Sequence, residues 1–367
     1  MNLGYDTVVP GNASRYLTTK EEALESPVGA VSLIWNEREK LVSNTAYDAN
    51  LISYDRNYLT TVASISGARA IPTLQYFSSN ILPFLSEKPL VVDIGCGQGE
   101  FVEALLEMGL DAYGYDTALR QESKRLFRKH WSVDDGAQPA DLFVLRCVLP
   151  HMGDPFAFLE SIFDIYPLAK VLIEHQNLGW ILRNRAWNQI SHDHVSIFTS
   201  ASFPSRFHVD SHGSFGEGEW NWVLVSRART PGRRLEIDEH TKPRADLPPD
   251  FSSLSKSRLE AIRFVQYGDF EEVIVWGAAG KGAVLSFTLA RETDKSIFAI
   301  DVDSKKHGLF MEGSGVRVYP PSSLSTLGPG KKLVIVANPL HFKEVSQVLG
   351  ADTLITNVGM LGNPASS

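Results

Sequence analysis

Apolar and polar positions along the chain change repeatedly between the period of a strand and that of a helix. Residues 89–95, "PLVVDIG", form an apolar run typical of a buried strand, and the nearby "EFVEALLEMG" has apolar residues at helical spacing. Further strands are predicted in "LDAYGYD", "DLFVLRCVL" and "AKVLIEHQ", after a helix in "IPTLQYFSSNILPFL". Strands that alternate with helical segments predict a parallel sheet covered on both faces. "EGEWNWVLVSRA" predicts a late strand, which we expect at an antiparallel edge.

The same plan returns later in the chain. After a helix at Ser253–Gln266, "EEVIVWGAAGKGAVLSFTLA" predicts a strand, a glycine loop and a helix, and "SIFAIDVD", "KLVIVANP" and "DTLITNVG" predict strands around the helix "HFKEVSQVLG". In both copies the second strand ends in an acidic residue, Asp116 in the first and Asp301 or Asp303 in the second. This is the mononucleotide-binding half-fold written twice. The alternative interpretation is that the glycines serve packing alone.

These patterns divide the chain into four ranges. Residues 1–70 are mixed and weakly periodic, and we call them the N-terminal region. The central unit is 71–228 and the C-terminal unit is 253–367, each with a Rossmann-like α/β fold. Residues 229–252 carry several prolines and many charges with little apolar content, which predicts a linker.

Composition narrows the range of functions. The 367 residues carry a net charge of −8, which disfavours a general surface for nucleic acid or anionic membrane. Two cysteines, Cys96 and Cys147, are too few for a disulfide framework or a four-cysteine zinc site. The first residues lack the pattern of a signal peptide, and no apolar stretch reaches the roughly 20 residues of a membrane span. We therefore expect a cytoplasmic protein.

The glycine loop of the central unit favours one cofactor over another. Gly95, Gly97 and Gly99 follow Asp93 at the end of the predicted strand, and Asp116 ends the next strand. A carboxylate at the position of Asp93 would repel the pyrophosphate of NAD, but it could pair with the cationic amino-acid moiety of S-adenosylmethionine. Asp116 could accept both ribose hydroxyls. The loop therefore predicts S-adenosylmethionine rather than NAD.

The densest group of ionisable residues is "QISHDHVSIFT", with His192, Asp193 and His194. A carboxylate beside imidazoles can orient them and suit them to proton transfer, so we expect a general base here. Two histidines one residue apart could instead bind a metal, but no third ligand is evident from the spacing, and we expect no metal. A surface loop with incidental histidines is the other alternative.

The sequence resembles the class I methyltransferases through "VVDIGCGQGEF", "AYGYD" and "DLFVLRCVLPHMGDP". In such proteins the first motif is the cofactor loop, the second carries the ribose carboxylate, and the third holds the strand that follows the adenine site. The resemblance therefore assigns S-adenosylmethionine binding to the aspartates and glycines named above, and extends it to Arg146 and His151.

A narrower resemblance is to the nucleotide-sugar C-methyltransferases. "IEHQNLGWILRNRAWNQISHDHVSIFT", "WGAAGKGAVL", "AIDVDSKKHGLFMEGSGVRVYPPSSL" and "LVIVANPLHFKEV" look like segments of that family. It implies a nucleotide-linked 4-keto deoxysugar as substrate, with His194 as the base that forms an enolate. Asp193 and Ser191 then stand where the family has a glutamate and a tyrosine, and Tyr58 lies roughly where it has another active-site tyrosine.

The same resemblance implies substrate binding by Lys281, Gly280 and Asn177. It also shows departures, because the family's N-terminal domain usually holds zinc with four cysteines, and none precedes Cys96 here. Ser191 in place of tyrosine removes a phenol. Two alternatives follow from these departures: an O- or N-methyltransferase acting on another small molecule, and a catalytically silent scaffold that retains both folds.

Overall fold

Sheets organise the part of the chain that the computed structural model describes, which is residues 1–55, 57–59, 70–132, 140–227, 248–327, 330–349 and 354–361. Within these residues there are sheets of four, seven and five strands and one two-stranded sheet. None of the helices in the described residues has the length and apolar character that crossing a bilayer requires.

The N-terminal region forms an antiparallel sheet that the sequence analysis missed. Its elements are β1 (Asn2–Pro10), β2 (Tyr16–Leu17), α1 (Lys20–Glu25), β3 (Val28–Asn36) and β4 (Leu41–Asn44). The four-stranded sheet has the order β1-β3-β4-β10, in which β10 (Ser196–Phe198) comes from the central unit. Along β3 every second residue is buried, which is the pattern of a strand with one face on a core.

The central unit contains the seven-stranded sheet. Its elements, besides β10, are α2 (Ala70–Tyr76), β5 (Leu90–Ile94), α3 (Glu100–Glu107), β6 (Asp111–Tyr115), β7 (Leu126–Phe127), β8 (Leu142–Arg146), α4 (Pro155–Ile165), β9 (Lys170–Gln176), α5 (Leu178–Arg183), β11 (His208–Phe215) and β12 (Trp220–Ser226). The strand order is β11-β12-β9-β8-β5-β6-β7. Within it, the strands β9, β8, β5, β6 and β7 are parallel to one another. The chain runs outward in opposite directions from β5, so a crevice opens at the carboxyl end of β5.

Most of the elements predicted in the central unit are confirmed, with two differences. The helix predicted in "IPTLQYFSSNILPFL" continues beyond α2 as a π-helical turn at Phe77–Ile81 and a 3-10 turn at Leu82–Phe84. The late strand β12 is antiparallel to β9 as expected, but the prediction that it lies at the edge is wrong. The hairpin partner β11 pairs with the other side of β12 and takes the outer position.

The C-terminal unit repeats the parallel plan. Its elements are α6 (Ser252–Tyr267), β13 (Glu272–Trp276), α7 (Lys281–Glu292), β14 (Ser296–Ile300), β15 (Phe310–Met311), β16 (Val318–Tyr319), β17 (Lys332–Val336), α8 (Phe342–Leu349) and β18 (Leu354–Asn357). The sheet order is β16-β14-β13-β17-β18. Asp301 accepts the backbone N–H of Ala278 at 2.8 Å, as Asp116 accepts that of Gly97 at 2.9 Å. The two units therefore share the same carboxylate-braced glycine turn.

The N-terminal region and the C-terminal unit share a hydrophobic core. One cluster contains Tyr5 and Trp35 together with Leu285 and Ile335, and Trp187 of the central unit belongs to it as well. In addition, β2 pairs with β15. The predicted domain boundaries remain a prediction, and most of the predicted linker, residues 229–247, lies outside the described residues.

Candidate active site

The glycine loop of the central unit turns sharply at the carboxyl end of β5. Gly95, Gly97 and Gly99 have φ values of 74°, 62° and 90°, in the left-handed region that favours glycine. A Cβ atom on Gly95 would lie 2.3 Å from Cγ2 of Val148. This close approach keeps the loop against the chain that leaves β8, and α3 begins directly after Gly99.

Asp93 is buried directly before this loop. Its side chain is 1% exposed, and Oδ1 has no hydrogen-bond partner among the described residues. Burial raises the pKa of Asp93 to about 7; Arg146 opposes that shift, while Glu174 and Asp116 add to it. A buried carboxylate oxygen without a donor fits the cationic moiety of S-adenosylmethionine, which would supply the missing partner.

Arg146 is a buried positive charge within electrostatic range of Asp93. Its Nε donates to Oε1 of Glu174 at 3.3 Å, and the guanidinium lies 4.5 Å from the ring centre of Phe101. The Tyr76 hydroxyl also donates to Glu174. Burial acts to lower the pKa of Arg146, but Glu174 and Asp93 raise it above its usual value, so the guanidinium stays charged. Direct contact between Arg146 and the cofactor remains a prediction.

Asp116 is held by the backbone of the loop. It accepts the N–H of Gly97 at 2.9 Å and that of Ala118 at 2.7 Å, one on each oxygen. Burial raises the pKa of Asp116, and these two N–H donors oppose that shift. A carboxylate oxygen has more than one acceptor position, so the predicted ribose contact is compatible with this geometry and stays a prediction.

Replacing Asp93 by asparagine should change how stability depends on pH. The usual pKa of aspartate is about 3.9, so between pH 4 and 7 the folded protein keeps a proton that the unfolded chain has released, and stability falls as pH rises. Asp93→Asn removes this slope. We expect the variant to gain on the order of 4 kcal/mol over the wild type between pH 4 and pH 8, measured by urea unfolding. Parallel pH profiles would contradict the burial of an ionisable Asp93.

An imidazole cluster, defined here as His151, Asp193 and His194, lies where the chain leaves β8. Cys147 has a φ of 58° and turns the chain into the 3-10 turn Leu149–His151. Nδ1 of His151 is 2.9 Å from the carbonyl oxygen of Asp193 and 3.5 Å from its Oδ2, and the two imidazole centres are 4.8 Å apart. Ser191 donates to Oδ1 of Asp193 at 2.6 Å.

Within the imidazole cluster His194 is held neutral and Asp193 is held charged. Burial, together with the neighbouring His151, lowers the pKa of His194 to about 4, and Asp193 partly offsets this shift. Burial acts to raise the pKa of Asp193, but His151, His194 and the Ser191 hydroxyl outweigh it, and the pKa is lowered. A neutral imidazole thus faces a carboxylate that stabilises its protonated form.

Tyr54, which the sequence analysis missed, joins the imidazole cluster to the cofactor crevice. Its hydroxyl is 3.2 Å from Nδ1 of His151, and its carbonyl oxygen accepts the hydroxyl of Thr117 at 3.5 Å. Burial raises the pKa of Tyr54 well above its usual value, so the phenol stays protonated. The ring of Tyr58 contacts that of Tyr54 edge-on at 5.1 Å, which places the predicted Tyr58 one side chain further from His151.

His192 points away from the imidazole cluster. Its Nδ1 is 2.7 Å from the carbonyl oxygen of Ala30, and its Nε2 accepts the N–H of Asp48 at 3.1 Å. The ring stacks on Tyr47 and is fully buried. Both ring nitrogens are thus engaged by the N-terminal region. This arrangement fits a positioning role, and the catalytic role of His192 remains a prediction without geometric support.

The chain's own N-terminal region lies across the second glycine loop. Gly280 donates its N–H to the carbonyl oxygen of Ala13 at 3.0 Å, and Tyr16 donates its hydroxyl to the carbonyl oxygen of Ala278 at 2.9 Å. These backbone groups are therefore already paired. The predicted substrate contact at Gly280 remains a prediction, and it would require part of this segment to move.

The other two predicted substrate residues also have protein partners. Lys281 forms an ion pair with the buried Glu219 and lies 5.5 Å from the ring centre of Trp180. Asn177 begins α5, where it accepts the N–H of Trp180 at 3.3 Å and donates to the carbonyl oxygen of Gly218 at 2.8 Å. Both roles in substrate binding remain predictions.

The family comparison gives the class of enzyme. Residues 68–208 match the family model described as a methyltransferase domain. The protein is a methyltransferase. Together with the carboxylate and glycine loop of the central unit, this match makes S-adenosylmethionine its cofactor and favours an enzyme over a silent scaffold. No curated protein matches the methyltransferase.

Solved structures resemble parts of this methyltransferase. An S-adenosylmethionine-dependent methyltransferase from Archaeoglobus fulgidus is 17% identical, over 44% of this chain and 96% of its own, with a TM-score of 0.34. The 1,6-didemethyltoxoflavin-N1-methyltransferase of Burkholderia thailandensis is 15% identical, over 54% of this chain and 95% of its own, with a TM-score of 0.31. An O-methyltransferase family protein from Burkholderia thailandensis is 13% identical, over 44% and 57%, with a TM-score of 0.33.

Proposed function

We propose that this methyltransferase methylates a carbon atom next to the ketone of a nucleotide-linked keto-deoxysugar, with His194 as the base. The observation that supports this most is the position of the imidazole cluster beside the cofactor crevice, linked to it through Tyr54 and Thr117. Methyl transfer to carbon needs a base and a donor for the enolate oxygen close together. His194 supplies the base and Tyr54 supplies the donor, and the rings of both residues contact the ring of His151.

The residues of the chain have distinct parts in this proposal. S-adenosylmethionine, when bound, supplies an electrophilic methyl group. Asp93 binds its cationic moiety, because the free Oδ1 is buried and lacks a donor. Nδ1 of His194, which has no hydrogen-bond partner in the described residues, takes the proton from the carbon next to the ketone. Asp193 stabilises the resulting imidazolium, and the protonated Tyr54 donates to the enolate oxygen.

Hydrogen exchange at the substrate carbon, measured in the absence of the cofactor, should detect the activity of the base. We expect the protein in deuterated water to exchange the proton next to the ketone of a nucleotide 4-ketosugar, because enolate formation precedes methyl transfer. Mass spectrometry over a panel of such sugars measures this exchange. The matched control is His212→Ala, which removes an exposed histidine of β11 and should leave the exchange rate unchanged. A sugar that is methylated but not exchanged would contradict the enolate route.

Methylation of oxygen or nitrogen on another small molecule is the second candidate. It is favoured by the occupied glycine loop of the C-terminal unit, where Ala13 and Tyr16 already pair with the backbone that a nucleotide would use. Ser191, in place of a tyrosine, also leaves a smaller side chain beside Asp193. This candidate requires a hydroxyl or amine acceptor. Methylation of such a compound, with no turnover of any ketosugar, would establish it.

A further inference from the structure

The imidazole cluster has the donor set of a transition-metal site. One atom each from His151, Asp193 and His194 can be chosen so that all lie within 4.8 Å of one another. The spacing of "HDH" in the sequence does not predict a third ligand, because His151 lies some 40 residues earlier. The turn after β8 brings His151 to the cluster. The fold thus completes a pair of imidazoles and one carboxylate. Zn²⁺ commonly takes this combination, with a further position left open.

In each imidazole, one ring nitrogen is held by a hydrogen bond to the backbone, and the other ring nitrogen is available to bind a metal ion. Nδ1 of His151 is 2.9 Å from the carbonyl oxygen of Asp193, and His194 is hydrogen-bonded to the backbone of Gln189. Nδ1 of His194 is buried without a hydrogen-bond partner in the described residues. Histidines that bind metals are held in this way, with the second ring nitrogen donating to a carbonyl or carboxylate oxygen.

A hydrogen bond likewise orients the carboxylate of the imidazole cluster. Ser191 donates to Oδ1 of Asp193 at 2.6 Å, which leaves Oδ2 facing His151 at 3.5 Å. A hydrogen bond of this kind orients a ligating carboxylate and leaves its other oxygen for the ion.

The surroundings of Asp193 hold negative charge without a fixed cation. Among the described residues, its ion-pair partner is the imidazole of His151, and no Lys or Arg pairs with it. Glu312 of the C-terminal unit lies within its electrostatic reach. The guanidinium of Arg15 pairs with Glu312 and Asp55 instead, at 3.3 and 3.0 Å. A divalent cation would supply the fixed positive charge that neither Lys nor Arg provides to this buried carboxylate.

We propose that His151, Asp193 and His194 bind a divalent transition-metal ion of the Zn²⁺ type, and that the bound ion occupies the lone pair of His194. Bonds of about 2.1 Å bring ligand atoms within about 3 to 4 Å of one another, so binding draws the three side chains together by roughly 1 Å. The ion and the abstracted proton compete for the same nitrogen. A bound metal therefore prevents His194 from acting as the base, a consequence that rests on the proposed function.

The test uses the full chain without an affinity tag of histidines, free of cofactor and substrate. Calorimetry with zinc chloride should give one ion per chain, and Co²⁺ should give visible absorption that added Zn²⁺ removes. Since loss of an outer partner alone costs about 10- to 100-fold in affinity, His194→Ala and Asp193→Asn should each weaken binding by about 100-fold or more. His212→Ala, at an exposed histidine of β11, should bind normally.

Several outcomes would overturn the proposal. They are no binding by the wild type, unchanged binding in both cluster variants, or loss of binding in His212→Ala, which would point to adventitious surface coordination. If a cluster variant fails to fold, the Co²⁺ spectrum of the wild type decides, because imidazole and carboxylate ligands give a spectrum that the hydrated ion lacks. These measurements need neither methyl donor nor acceptor. Their failure is therefore distinguishable from failure of the proposed methylation.

Discussion

Asp93→Ala is expected to weaken S-adenosylmethionine binding by about 10- to 150-fold, which corresponds to the roughly 1.5 to 3 kcal/mol of a hydrogen bond to a charged group. The reason is that Oδ1 of Asp93 is buried and has no donor in the described residues, so the cofactor's cationic moiety is its expected partner. Isothermal calorimetry on wild type and variant measures the difference directly.

The matched control for this experiment is Glu107→Ala, which removes an exposed carboxylate at the end of α3. Its affinity for the cofactor should equal that of the wild type. Glu107 tests whether net charge alone accounts for any change. If Asp93→Ala binds the cofactor normally while remaining folded, the cationic moiety is not at Asp93, and the proposed orientation of S-adenosylmethionine in the crevice is wrong.

His194→Ala is expected to lower the rate of methyl transfer by about 100- to 10,000-fold, the usual contribution of a general base. Affinity for S-adenosylmethionine should stay within about twofold, because the hydrogen bonds among the described residues link the imidazole cluster to the cofactor crevice indirectly, through Tyr54 and Thr117. Single-turnover assays with labelled cofactor measure the rate, and calorimetry measures the affinity.

Two further variants separate the chemical role of His194 from a structural one. His194→Gln retains a polar side chain of similar size but cannot act as a base, so it should be as inactive as the alanine variant. His212→Ala should keep full activity. Retained turnover in His194→Gln would assign proton removal to another group, such as His151, whose ring centre lies 4.8 Å from that of His194.

The cofactor half of the site could be predicted from sequence because its signals are local. Asp93 and the three glycines lie within seven residues, and Asp116 follows at the tip of the next strand. The periods of β5 and α3 are set by short-range packing, so the pattern fixes their type. The shared brace of Asp116 and Asp301 on their glycine turns likewise follows from one repeated local plan.

The acceptor half depends on contacts between distant parts of the chain. His151 meets Asp193 across 42 residues, and Tyr54 meets His151 across 97. No period in the sequence encodes such distances. The N-terminal sheet was missed for a related reason. β3 alternates regularly, but β1 has a register shift between Asn2 and Asp6, β4 and β10 are short, and the alternation of β3 alone does not identify them.

Residues 12–16 tie the two ends of the enzyme together. Asn12 donates its backbone N–H to Glu312 at 3.0 Å, while Ala13 and Tyr16 pair with the loop around Gly280 at 3.0 and 2.9 Å. A chimera that receives only the C-terminal unit would leave these backbone groups without partners. The first turn of the chain and its last third must therefore be inherited together, and an acquired mutation in one constrains which changes the other can tolerate.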